Sequence, residues 1–127
     1  MAEVFLYNLS PDKLRKVRVA LLRLGIRGRT VAYAEYGHPI GYLAGAEGFE
    51  PSGEYTGEDF TAEMMVMSGL SSRQFSALLD TLRASRAVVQ LKAVVTESNA
   101  VWNSFELYKA LREEHDTMRE YLATKNK

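Results

Sequence analysis

Val4-Phe5-Leu6-Tyr7-Asn8-Leu9-Ser10-Pro11 and Met64-Met65-Val66-Met67-Ser68-Gly69-Leu70-Ser71 decide how this chain reads. Each begins with a run of four apolar residues, short enough for a buried strand. Each then breaks at a polar or glycine step and offers a serine where a helix would begin. Ser10 is placed to cap, Pro11 suits the first helical position and Asp12 suits the positive end of the helix dipole. Ser71 and Gln74 are spaced as a capping box. Leu9 with Leu14, and Leu70 with Phe75, are spaced as hydrophobic staples.

Outward from these starts, the two stretches continue alike. Leu14, Val17, Leu21 and Leu24 recur at helical spacing until Gly25 stops the first helix. Phe75, Leu78, Leu79 and Leu82 do the same in the second. A β-rich run follows each helix, Ile26–Tyr36 and Val88–Thr96, and these are broken by Gly37-His38-Pro39 and Glu97-Ser98-Asn99. Moving the first half by 61 positions lays Leu9 on Leu70, Ser10 on Ser71, Leu14 on Phe75, Val17 on Leu78, Leu21 on Leu82 and Ala32 on Ala93. Agreement of caps, staples and core positions together predicts a duplicated strand–helix–strand unit.

Two such units in series predict an α+β domain of the ferredoxin-like kind, with duplicated β-α-β units forming an antiparallel sheet, plus a C-terminal helix. The expected organisation is a single domain over 1–127. The first unit spans 1–43, an acidic mobile connection 44–63, the second unit 64–103 and the last helix 104–127. From Trp102 to about Thr124 the helix shows an apolar stripe of Phe105, Tyr108, Leu111, Met118 and Leu122. The strands are apolar on both sides, so both sheet faces must be covered. Two helices cover one face. The last helix, a second subunit, or both are expected to cover the other.

Composition narrows the chemistry. There is no cysteine, which excludes disulfides, thiolate metal sites, iron–sulfur clusters and thiol nucleophiles. No stretch approaches the ~20 apolar residues of a membrane span. The first residues show neither a basic region nor a cleavage site, so a cytoplasmic protein is expected. Formal net charge is zero but unevenly spread: seven Lys/Arg and three acids in 1–43, then six acids and no base in 44–63. A basic half beside an acidic connection could form a charged face with an internal mask, although solvated surface explains it as well.

The stretch Leu91-Lys92-Ala93-Val94-Val95-Thr96-Glu97-Ser98-Asn99-Ala100-Val101-Trp102, continuing through Leu107 and Leu111 to Glu113-Glu114-His115, resembles a bacterial family known only as the domain of unknown function 3783. Residues 64–115 carry the resemblance, with Lys92, Thr96, Asn99 and Trp102 in order. The first half fits loosely. The resemblance implies kinship and no chemistry.

Candidate ligand-binding residues are Lys92, Thr96, Asn99, Trp102 and His115. Thr96, Asn99 and Trp102 lie where the last strand turns into the last helix and could wall a pocket, or could simply hold the turn. If Leu91, Ala93 and Val95 face the two helices, Lys92 faces the other side, where it could hold an anion or act as a base. The ordinary alternative is an edge-strand lysine. His38 and His115 lack a ligand-spaced partner, so no metal site is expected. Ser10 and Ser71 open helices, where anions can bind, but capping explains both. Arg23, Arg27 and Arg29, with Tyr7 and Tyr33, form a candidate nucleic-acid surface, without a ribonucleoprotein consensus and without net positive charge. No cofactor is implied. The leading expectation is a binding or regulatory module acting through homodimerisation and a small ligand. The alternatives are an enzyme at the Thr96–Trp102 turn, using Lys92 and His115 together, and weak nucleic-acid binding through the basic half.

Overall fold

The computed structural model describes residues 2–125, with side chains to residue 118, so the side chain of Leu122 in the expected stripe lies outside those described. Strand β1 (Glu3–Tyr7) leads to helix α1 (Pro11–Arg23), then β2 (Arg27–Thr30). A 3₁₀ turn (Tyr33–Glu35) and a short helix α2 (Ile40–Leu43) follow. The second half runs β3 (Met64–Ser68), α3 (Ser72–Ala84), β4 (Leu91–Val94) and α4 (Ser104–Lys125). Among the described residues no helix is long and apolar enough to cross a membrane.

The α+β class and the C-terminal helix are as the sequence predicts. The sheet is mixed and not antiparallel throughout. Its order is β2-β1-β3-β4, with β1 parallel to β2, β3 parallel to β4, and only the central β1–β3 pair antiparallel. The reason is local. A helix-long crossover returns the chain in its original direction, and here each second strand pairs beside its own first strand. In the ferredoxin-like order another strand would lie between them. The units therefore meet edge to edge through β1 and β3.

The two helix starts form as their caps dictate. Ser10 Oγ accepts from Lys13 N–H, and Ser71 and Gln74 exchange reciprocal bonds. Each helix ends on a left-handed residue, Gly25 at φ +69° and Arg86 at φ +57°. Asn8 and Gly69, also left-handed, link strand to helix. All four positions obey the 61-residue offset. The offset grows to 64 at the second strands, because Glu3 pairs with Arg27 whereas Met64 pairs with Leu91. Ala93 thus corresponds to Arg29, not to Ala32.

Both second strands are shorter than the β-rich runs Ile26–Tyr36 and Val88–Thr96. After Val31, whose N–H still donates to Leu6 O at 3.1 Å, the chain enters the 3₁₀ turn, where Glu35 pairs with Arg29 and its other oxygen accepts Ala32 N–H at 3.1 Å. Before Leu91, Ala87 and Val89 are drawn into the helix-side core instead of pairing.

Alternation in the central strands builds two cores. Val4, Leu6, Met65 and Met67 pack against α1 and α3. Phe5, Tyr7, Met64 and Val66 pack on the opposite side against Tyr36, Ile40, Leu43, Phe60 and Leu107. Both faces are therefore covered within one chain, the second by the start of α4 together with the segment 31–60. That segment is irregular but anchored. Asn8 Nδ2 donates to Phe60 O and Ala62 O at 2.9 and 3.1 Å. The Phe60 ring stacks on Tyr108, with centroids 4.3 Å apart.

Candidate functional site

The Thr96–Trp102 turn spends its polar atoms on itself. Thr96 N–H donates to Asn99 Oδ1, Asn99 N–H donates to Thr96 Oγ1, and Asn99 Nδ2 donates to Val94 O. Trp102 is half-buried against the second core, and its carbonyl accepts Ile40 N–H at 2.8 Å. Ala100 O accepts Gly41 N–H at 2.9 Å. The turn thus clamps α2 under the sheet. Asn103 and Glu106 then exchange two 2.9 Å bonds and start α4. This N–X–X–E box stands in the sequence and signals the helix start at Ser104.

Lys92 and His115 lie on opposite sides of the sheet. Leu91, Ala93 and Val95 belong to the second core, whereas Lys92 lies beside Leu79, Leu82 and Arg83 of α3. The expected orientation is therefore inverted. A strand apolar on both sides carries no mark of which side the helices take. Lys92 Nζ donates to Val89 O at 2.5 Å. Burial lowers its pKa, helped by the charge of Arg83. The pairing required for an enzyme site built on Lys92 and His115 is absent.

The three arginines also divide. Arg23 ends α1 and is exposed. Arg27 and Arg29 project from edge strand β2 on the other side, because Gly28 between them faces Leu21 of α1. Arg29 is engaged by Glu35. No shared basic surface with Tyr7 arises, since Tyr7 is fully buried.

His115 stands elsewhere, in a cleft of about 330 Å³ lined also by Lys13, Glu63, Gln90, Leu91 and Arg112, with Ala62 and Val88 beside them. The first turn of α1 forms one wall, the start of β4 the floor, and the middle of α4 the other wall. Lys13 Nζ lies 2.6 Å from Glu63 Oε1 and donates to Val88 O at 3.0 Å. The other oxygen of Glu63 accepts Ser10 N–H at 3.4 Å. A carboxylate from the acidic connection thus sits where the cap of α1 presents donors and positive dipole. Across the cleft, Arg112 Nε approaches Asp116 at 3.5 Å and His115 Nδ1 approaches it at 3.9 Å. Three basic side chains and one carboxylate therefore share a concave, half-open space. Of the five expected ligand residues only His115 lies in it. Lys13 and Glu63 are 50 positions apart, and no local spacing could have joined them.

Searches of curated proteins and of solved structures found no match. Residues 63–118, which supply Glu63, Gln90, Leu91, Arg112 and His115 to the cleft, match the family model described as Domain of unknown function (DUF3783), the family that residues 64–115 resemble.

Proposed function

We propose that the chain is a binding module that takes a compact anion, a phosphate or short dicarboxylate, in the cleft between α1 and α4. One observation carries this reading: Lys13, Arg112 and His115 line a single hollow whose internal carboxylate, Glu63, already holds Lys13 and the Ser10 N–H as an anion would. A ligand entering there competes with Glu63. Release of Glu63 would loosen the end of the acidic connection, which gives the module a way to report occupancy.

The test uses the full chain and nuclear magnetic resonance. His115 is one of only two histidines, so its ring signals report the cleft cleanly. Titration with inorganic phosphate, and separately with malonate, is expected to shift His115 saturably and leave His38 unmoved. Arg112→Gln should weaken binding roughly tenfold, the equivalent of one charged hydrogen bond of about 1.4 kcal/mol. Glu63→Gln should tighten it by a similar factor. Unmoved His115 signals with both anions, or affinity indifferent to both substitutions, would sink the proposal.

A further inference from the structure

The outward side of α1 and the projecting part of α4 are complementary in both apolarity and charge. Helix α1 buries Val17, Ala20 and Leu21. Turned away from them, Leu22 is 82% exposed and Val19 45%. They lie with Leu14 along a shallow groove edged by Arg15 and Arg18. The helix carries five basic residues against one acid. On α4, Leu107 is buried, but the same stripe runs beyond the sheet to Met118, which is 58% exposed. Met118 lies with Ala110 and Thr117 in a second apolar hollow, edged by Glu113 and Glu114. One surface is apolar with a cationic edge. The other is apolar with an anionic edge.

Within one copy the Val19–Leu22 stripe lies on α1, which packs on one side of the sheet, and the Met118 hollow lies on α4, whose start covers the other. We infer that each is the docking site of the other in a second copy of this chain: the Val19–Leu22 stripe of one copy receives the Met118 end of α4 from its partner. Reciprocal exchange about a two-fold axis makes both contacts at once and closes the assembly as a dimer. The apolar centres supply the burial, and the opposed charges set the register and favour the unlike pairing.

Sedimentation of the full chain tests this. At about 100 micromolar, where a modest interface is still populated, the chain is expected to sediment as a dimer that weakens as salt rises. Leu22→Asp, Arg18→Glu and Glu114→Arg should each weaken dimerisation at least roughly tenfold. All three positions are exposed, and unchanged circular dichroism would show that the variants fold. An equimolar mixture of Arg18→Glu chains with Glu114→Arg chains should recover a dimer, because both exchanged contacts then pair opposite charges. A monomer in the unmodified chain, a dimer indifferent to these substitutions, or a mixture that stays monomeric would overturn the inference.

Discussion

Tyr7 and Ser104 share a hydrogen bond of 2.8 Å across 97 positions, and both residues are fully buried. Burial pushes the Tyr7 phenol far above its ordinary value, and the Ser104 hydroxyl offsets only part of this. Below about pH 10 the phenol is protonated both folded and unfolded, so it adds no slope. Above that, the unfolded phenol loses its proton and the folded one keeps it, so stability falls as pH rises. Tyr36 acts in the same direction, through burial and then the charge of Asp59. Lys92 acts with the opposite sign, so parent and variant must be compared at each pH. Tyr7→Phe is expected to destabilise the chain by about 1–3 kcal/mol at neutral pH, because Ser104 is left buried without its partner. The same variant should lose less stability than the parent between about pH 8 and pH 11. Urea unfolding at both pH values checks this, and an identical alkaline loss in the two chains would refute it.

At the scale of elements, the two halves repeat one another down to single backbone angles, but not in the residues that adopt them. Gly25 takes its left-handed angle without a side-chain penalty, whereas Arg86 takes the equivalent one with a Cβ. Arg86→Gly should therefore stabilise the chain by about 1 kcal/mol, measured by denaturant unfolding, and Gly25→Ala should destabilise it by about as much. Asn8, opposite Gly69, differs because its amide is spent on Phe60 and Ala62. Helix starts were legible because a cap is settled within four residues. Strand ends were not, since the β-rich runs Ile26–Tyr36 and Val88–Thr96 extend beyond the point where β1 and β3 offer partners. The side occupied by Lys92, and the cleft that unites Lys13, Glu63 and His115, arise only from how distant segments pack. Local pattern is silent about both.

For the whole molecule, the apolar character of both strand faces was readable, and it correctly demanded a cover on each side. What covers the second side was only half readable. The stripe of Phe105, Tyr108 and Leu111 pointed to α4, but nothing in the Gly- and Glu-rich stretch 44–59 announced that Tyr55 would join Phe60 in that layer. The central pairing, with Phe5 opposite its own counterpart Val66, has a kinetic consequence. Partners inside each half are separated by a short span, Glu3 to Arg27 or Met64 to Leu91, while the seam joins Glu3 to Ser68. Each half can organise through nearby residues, and the encounter of the halves then carries most of the loop-closure entropy. Doubling the tether between them with a Gly/Ser insert near Gly53 should slow refolding only about threefold, the weak logarithmic penalty of a longer loop of about 0.6 kcal/mol, and leave unfolding unchanged. Stopped-flow traces showing faster unfolding instead would mean that the tether itself braces the native state.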